Sequence, residues 1–329
     1  MSARRLRELA RRWVDEAGGA DAETMIVQVL ETRGSTPREA GARMLVRVGA
    51  GVGAGADVGV GVGAAAGTDG QACHGTIGGG HLEWRAIARA RALLAAGAVP
   101  DAVPGAGECR AESDASDWIR EPVVLGPSLG QCCGGAVVLG YRRLDARALA
   151  DWPPPQPLFR LCLYGAGHVG RALVRQLAPL DVVVDWFDER EAAFADAGAD
   201  PVDGVATIRR HRVEGLDAEA AASAAGSFHL VATHSHDLDL RIVEAILRRD
   251  AHGWLGLVGS RTKRARFEHR LLARGVDAGA LARMHCPIGI DGLPSKAPEI
   301  LALAVAAQLA GVALGAPTAF AGRVDEALR

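Results

Sequence analysis

Residues 161–171 have the sequence Leu161-Cys-Leu-Tyr-Gly165-Ala-Gly167-His168-Val-Gly170-Arg171, and this stretch decides the fold of the second half of the chain. A short apolar run ends in a Gly-x-Gly-x-x-Gly turn, and a helical pattern of apolar residues follows it. A second apolar run then leads to Asp188, about 20 residues beyond the turn. This order predicts a strand, a phosphate-binding turn, and a helix whose N-terminus can hold an anion.

The rest of the second half alternates strand and helix patterns, which is typical of a doubly wound parallel sheet. We therefore predict an α/β, Rossmann-like domain at residues 159–312, with a proline-rich linker at 151–158 before it and a tail at 313–329 after it. Ligands of such sheets bind outside the carboxyl ends of the strands. Four candidate loops lie at those ends: Gly165–Gly170, Asp188, His234 with His236, and Gly259–Arg264.

The histidines of the third loop leave several interpretations open. His234 and His236 are two residues apart and could share a face and bind a metal. They could equally contact an organic ligand, cap a helix, or face solvent. The sequence nearby offers no third metal ligand.

The first half, residues 1–150, is predicted to be an α+β domain with glycine-rich loops. Residues 49–67 contain almost only Gly, Ala and Val, and we expect a flexible insert in a hairpin there. The segment Gly75-Thr76-Ile-Gly78-Gly79-Gly80 differs, because a helical pattern follows it directly. Its N–H groups could converge on an anion, or it could be a tight strand-to-helix turn.

Gln131, Cys132 and Cys133 lie in a compact loop between glycines. Two adjacent thiols could bind a soft metal or take part in sulfur chemistry if the pKa of one thiol is lowered. They could also be two small side chains packed in a turn.

Composition limits the classes of function. The net charge of −2 argues against a general nucleic-acid binder, and no apolar run is long enough to cross a membrane. The six cysteines show no disulfide spacing, and the basic N-terminus lacks the apolar segment of an export signal. We therefore expect a cytoplasmic protein. Lys263 and Lys296 are the two lysines, and each is a candidate contact for an anion.

Seven motifs occur in one order along the chain, and together they resemble the xanthine dehydrogenase accessory protein family, XdhC/CoxI. They are Glu31–Pro37, Gly75–Gly80 with Glu83, Leu129–Gly135, Gly165–Gly170, Thr233–His236, Gly259–Arg264, and Cys286–Gly289 followed by Lys296. The resemblance extends from about residue 22 to 310, and the sequence departs from it mainly in the 49–67 insert.

The resemblance implies a maturation factor that binds molybdenum cofactor (molybdopterin), supports its sulfuration with a cysteine desulfurase, and delivers it to apo-xanthine dehydrogenase. It implies no catalytic turnover of the factor's own, and we expect a homo-oligomer, most simply a dimer. Cys132 or Cys133 would contact molybdenum. The residues expected to bind the cofactor are Gly75, Thr76, Gly78, Gly79, Gly80, Gln131, Cys132, Cys133, Gly165, Gly167, His168, Gly170, Asp188, His234, His236, Lys263, Arg264 and Lys296.

A second hypothesis uses the same turn. An NAD(P)-dependent oxidoreductase or an NAD-sensing regulator would hold its pyrophosphate at Gly165–Gly170 and its ribose hydroxyls at Asp188. An oxidoreductase also needs an acid or base at the hydride site. The first half offers His81 and Glu83 for that role but no stronger combination of a histidine with an acid.

Overall fold

The computed structural model describes residues 2–48, 71–97, 117–126, 134–195, 205–290, 293 and 295–315. The chain forms two compact units that divide after Pro155, within the proline-rich stretch at 151–158. The insert at 49–67 and the loop that carries Gln131, Cys132 and Cys133 lie outside the described residues.

The first unit is built on a five-stranded antiparallel sheet with the strand order β3-β2-β1-β5-β4. Its elements are α1 (Ala3–Glu16), β1 (Ala20–Arg33), β2 (Arg43–Val48), β3 (Gln71–Gly75), α2 (Gly80–Ala95), β4 (Ile119–Val124), β5 (Ala136–Asp145) and α3 (Ala146–Ala150). This arrangement confirms the predicted α+β class.

Alternating residues of β1 place one core on each face of this sheet. Met25, Val27 and Val29 pack in the same cluster as the buried side of α2. Ile26 points to the other face and packs with Leu6 of α1. The period of two in β1 therefore fixes which helix covers which face.

The second unit is a six-stranded parallel sheet with the order β11-β10-β9-β6-β7-β8. Its strands are β6 (Arg160–Tyr164), β7 (Val183–Asp188), β8 (Thr207–Arg212), β9 (Phe228–Val231), β10 (Trp254–Leu257) and β11 (Met284–His285). Its helices are α4 (His168–Leu177), α5 (Leu216–Ala222), α6 (His236–Arg249), α7 (Arg261–Ala273), α8 (Ala278–Ala282) and α9 (Pro298–Ala313).

This strand order is that of a doubly wound Rossmann fold and confirms the predicted class. The chain leaves β6 for β7 and β8 on one side, then returns to place β9 on the other side of β6. The reversal makes the carboxyl ends of β6 and β9 the topological switch point, where such folds bind ligands. The sequence patterns did not predict the short helices α3, α5 and α8.

Two hydrophobic clusters fill the faces of the parallel sheet. One contains α5 to α8, with Leu240, Ile242 and Phe267 among its buried residues. The other contains α4 and α9, with Leu173 and Val305 buried. Strands buried on both faces explain why β6, β9 and β10 are almost wholly apolar. In the described part of the chain, no helix has both the length and the apolar composition needed to cross a membrane.

Gly165 and Gly167 should respond differently to substitution. Gly165 has φ +113°, and a Cβ there would collide with the carbonyl oxygen of Ala232 at the end of β9. Gly167 has φ −78°, and a Cβ there would meet no described atom within 4 Å. We expect Gly165→Ala to lower the free energy of unfolding by about 2–3 kcal/mol or more, and Gly167→Ala by less than about 1 kcal/mol.

Denaturant unfolding of both variants beside the wild type measures the difference. Equal losses of stability would mean that the end of β6 is not packed against β9 as described.

Candidate functional site

The loop that joins β6 to α4, Gly165–Gly170, is held by hydrogen bonds from the sheet and from α4 to the backbone of its first two residues. The N–H of Gly165 donates to the carbonyl of Phe187 over 2.8 Å, and its carbonyl accepts from Nε1 of Trp186 over 3.0 Å. The carbonyl of Ala166 accepts from Nε of Arg171 over 3.0 Å. The loop therefore has a fixed shape before any ligand arrives.

The N-terminus of α4 is open. Its first N–H groups, on His168, Val169 and Gly170, have no acceptor within the helix, and Gly167 at the N-cap has no side chain to cap them. No side chain among the described residues accepts a hydrogen bond from them. The space beside Gly167 is empty in that part of the chain, and His168 is exposed. Converging N–H groups and the helix dipole make this position suitable for an anion such as phosphate.

The buried side chain of Asp188, at the end of β7, fastens the Gly165–Gly170 loop by accepting hydrogen bonds. Its side chain is 3% exposed. Oδ2 accepts from the N–H of Ala166 over 2.7 Å and from Arg190 over 2.8 Å, and Oδ1 accepts from the backbone N–H and Nε of Arg190. Four donors therefore occupy the carboxylate in this structure, and the predicted contact between Asp188 and a ligand stays a prediction.

The same contacts govern the charge of Asp188. Burial alone would raise the pKa of this carboxyl, but the hydrogen bonds from Arg190 and from the N–H of Ala166 outweigh burial and hold the pKa below its usual value. The group is therefore ionised at neutral pH. The positive charge of Arg190 balances it, and the side chain of Arg190 is 46% exposed.

The glycine turn of the first unit already holds an anion, the carboxylate of Glu83. Oε1 of Glu83, in the first turn of α2, accepts from the N–H groups of Ile77 and Gly79 over 3.0 and 2.9 Å, and from the hydroxyl of Thr76. Gly78 packs its Cα against the ring of Pro37, where a Cβ would collide. The expectation that Gly75, Thr76, Gly78, Gly79 and Gly80 form a free phosphate cradle therefore does not match this geometry.

His234 and His236 lie in the loop after β9 and at the start of α6. Nε2 of His234 lies 3.8 Å from the carboxylate of Glu189, which follows β7, so two strand ends are linked across β6. His236 is exposed and lines a cleft with residues of α7. Among the described residues, no group of three or more His, Cys, Asp or Glu side chains could hold a metal.

Lys263 and Arg264 make contacts inside the second unit. Nζ of Lys263 forms a buried ion pair with Asp239 over 2.6 Å and donates to the carbonyl of Val258 over 2.8 Å. Arg264 pairs with Glu268 over 2.7 Å and donates to the carbonyl of Cys286. In this structure both cations join α7 to α6 and to the segment after β11, and their predicted contacts with a phosphate or pterin stay predictions. Lys296 is exposed just before α9.

The residues of the predicted thiol site, Gln131, Cys132 and Cys133, lie outside the described residues. Burial raises the pKa of the Cys162 and Cys286 thiols to about 11. These two cysteines are therefore protonated at neutral pH and poorly suited to sulfur chemistry.

The structure thus brings together Gly165, Gly167, His168 and Gly170 around the open end of α4, with Asp188 beneath them. Sequence reasoning missed Trp186, Arg171 and Arg190, which shape this loop. The spacing of two residues between Asp188 and Arg190 was the available signal for one of these contacts. The sequence patterns did not indicate that Asp239 and Glu83 accept hydrogen bonds inside the protein, because their partners become neighbours only in the folded structure.

Comparison with known proteins gives matches in both units. A model of the XdhC Rossmann domain matches residues 161–309, and a model of the XdhC and CoxI family matches residues 19–100. The uncharacterized protein YqeB of Escherichia coli (strain K12) is 28% identical over 295 residues, or 89% of this chain, and the chain spans 44% of the length of YqeB.

A solved structure shares the fold over nearly the full length. It is described as a xanthine dehydrogenase from Bacillus halodurans, and it superposes with a TM-score of 0.64 at 16% identity. The match covers 97% of this chain and 99% of the other. At this identity the likeness establishes the fold alone.

Replacing Glu83 should open the turn of the first unit. Glu83→Ala leaves the hydroxyl of Thr76 and the N–H groups of Ile77 and Gly79 without their acceptor, so we expect a loss of about 1–3 kcal/mol in the free energy of unfolding. Added sulfate should restore part of that stability by taking the place of the carboxylate. Thermal unfolding with and without sulfate measures both effects.

Glu39→Ala is the matched control, because Glu39 forms an exposed pair with Arg38. Its stability should change little, and sulfate should not favour it over the wild type. If sulfate stabilises the wild type as much as Glu83→Ala, then Glu83 does not fill the turn.

Asp188→Asn should destabilise the second unit by about 2 kcal/mol at neutral pH, because a buried acceptor of four hydrogen bonds loses its charge. The folded pKa of Asp188 is lowered, so its contribution is complete above the ordinary value of 3.8 and is lost as the pH falls through the lower folded value. The two proteins should therefore converge in stability in acid.

Asp237→Asn is the control, because Asp237 is 83% exposed in its pair with Arg270. Denaturant unfolding across the pH range should show less than about 0.5 kcal/mol of change for it. An Asp188→Asn protein as stable as Asp237→Asn would contradict the role assigned to Asp188.

Proposed function

The chain belongs to the XdhC and CoxI family, and we propose that it is a maturation factor for a molybdenum hydroxylase of the xanthine dehydrogenase type. It binds molybdenum cofactor, supports the sulfuration of that cofactor together with a cysteine desulfurase, and supplies it to the apoenzyme. It acts as an accessory protein in the cytoplasm, as a homo-oligomer and without catalytic turnover of its own.

One observation carries the choice of ligand: the open N-terminus of α4 lies above an Asp188 that has no free acceptor. The helix end offers N–H groups to a phosphate. An NAD-binding domain of this kind normally has an acid at the end of its second strand that binds the ribose hydroxyls, and the four donors on Asp188 leave that carboxylate no free acceptor. Molybdenum cofactor is a pterin with a terminal phosphate and, in its unmodified form, has no ribose.

The other site residues have assigned roles in this proposal. Gly167 leaves room for the phosphate, and the exposed His168 adds a donor beside it. His234, at the neighbouring strand end, contacts the pterin. Cys132 or Cys133 supplies sulfur to molybdenum, since thiolates are suitable ligands for a soft metal. Lys296 is available as a further cation near α9.

The solved structure from Bacillus halodurans supports a connection with xanthine dehydrogenase through its description, although its likeness to this chain is one of fold. YqeB is more than twice as long as the matched region, so the activity and partners of this chain do not follow from that protein. The proposal therefore depends on the family and on the α4 site.

The second candidate is an NAD(P)-dependent oxidoreductase or an NAD-sensing regulator. The strand order of the parallel sheet and the Gly165–Gly170 loop favour it, because both are typical of dinucleotide-binding domains. The engagement of Asp188 with Arg190 argues against NAD, because the carboxylate has no acceptor left for the ribose hydroxyls.

Gly167→Asp separates ligand binding from folding. An aspartate at the N-cap would accept from the open N–H groups of α4, so we expect the free energy of unfolding to rise by about 0.5–1 kcal/mol. The same carboxylate would occupy the position of the phosphate and repel it. We therefore predict saturable binding of molybdenum cofactor by the full chain and its loss in Gly167→Asp, followed by absorbance and fluorescence.

Gln176→Glu is the control, since it adds one negative charge near the far end of the same helix, at an exposed position. It should bind the cofactor like the wild type and should activate apo-xanthine dehydrogenase equally well. Tight binding of NAD⁺ or NADH without binding of the cofactor would refute the proposal in favour of the second candidate. Unchanged cofactor affinity in folded Gly167→Asp would place the ligand elsewhere.

A further inference from the structure

A cleft of about 570 Å³ lies along α7, and no residue of the Gly165–Gly170 loop lines it. The volume lies in the range of sites for small molecules. One wall comes from the start of α6 and the rest from α7 and the residue before it. The side chains that matter here are His236, Lys263, Ala265, Arg266, Phe267 and Arg270.

The positively charged residues of α7 begin at its N-terminus, which is the reverse of the charge distribution that the helix dipole favours. Positive residues are favoured near the C-terminus of a helix and acidic residues near the N-terminus, by about 0.3–1 kcal/mol each. The neighbouring α6 follows this rule, with acids in its first turn and arginines in its last. In contrast, α7 begins with Arg261, Lys263 and Arg264 and has no acid in its first turn. A local rule broken in this way is typical of a functional surface.

Internal partners offset only part of this charge. Lys263 pairs with Asp239 and Arg264 with Glu268. Arg270 lies 3.2 Å from Asp237, which is largely exposed and so neutralises it weakly. Arg266 has no ion-pair partner among the described residues. The cleft therefore has a positive lining that the described part of the unit does not balance.

The spacing of two arginines indicates the shape of the missing anion. Arg266 and Arg270 are one turn apart on α7 and face the same cleft. Positions four apart place their Cβ atoms about 5–6 Å from each other, a distance that two linked phosphate groups can span. Guanidinium groups bind phosphate through paired hydrogen bonds. Ala265 and the aliphatic stems of the arginines, backed by the buried Phe267, give the rest of the cleft an apolar character.

We propose that this cleft is a second anion site, which binds a diphosphate group, free or as the ester of an organic molecule, through Arg266 and Arg270. The proposal does not depend on the proposed function, because it uses a different helix and different side chains. His236 and the third hydrogen of the Lys263 ammonium lie at the same cleft and can add donors to the diphosphate.

Calorimetric titration of the full chain with inorganic pyrophosphate tests the site, with Gly167→Asp as the background that removes binding at α4. We expect saturable binding in that background. Arg266→Gln and Arg270→Gln should each weaken it about tenfold, since each removes charge-assisted hydrogen bonds. Arg175→Gln, at an exposed position in the last turn of α4, removes the same charge and should change affinity by less than about twofold.

Adenosine diphosphate separates the two sources of the diphosphate. Competition between it and pyrophosphate, with the same dependence on Arg266 and Arg270, supports the ester. Binding of pyrophosphate alone supports the free anion at the same site. The proposal would be overturned if neither compound bound saturably. Weakening by Arg175→Gln equal to that by Arg266→Gln would also overturn it, as would binding of an acidic peptide but of neither phosphate compound.

Discussion

The hydrogen bond from the N–H of Ala166 to the carboxylate of Asp188 is the contact on which the second unit most depends. It joins the end of β6 to the end of β7, and Arg190 completes it by balancing the buried charge. The Gly165–Gly170 loop, held in this way, orients α4 so that its first N–H groups point outward. An acid that would contact a ribose in a dinucleotide-binding protein serves here as part of the scaffold.

The two glycine-rich turns therefore differ in whether a side chain of the helix that follows accepts hydrogen bonds from their N–H groups. The turn before α2 is filled by Glu83 from its own helix, whereas the turn before α4 ends in Gly167 and leaves its helix uncapped. A protein that binds an anion reversibly must leave donors unsatisfied until the anion arrives, and this costs stability. By that criterion, the turn before α4 is the one that we propose as the ligand site.

Much of the fold could be predicted from sequence, because its signals are local. The Gly-x-Gly-x-x-Gly turn and the alternation of apolar strands with helices indicate a doubly wound sheet. The site was less predictable, since the partners of its charges are distant in sequence: Asp188 bonds to a residue 22 positions away, and Lys263 to one 24 away. The role of Glu83 was easier to predict, because Glu83 lies only four residues after Gly79, in the first turn of α2. The cysteines at 132 and 133 stay a prediction.

Backbone amide NMR on the isotope-labelled chain, titrated with molybdenum cofactor, tests the central claim most directly. The largest shifts should occur at the amides of His168, Val169 and Gly170. Those of Ile77 and Gly79, already bonded to Glu83, should stay in place. Shifts at Ile77 and Gly79 without any at the start of α4 would contradict the account, because the anion would then bind the turn that Glu83 is said to fill.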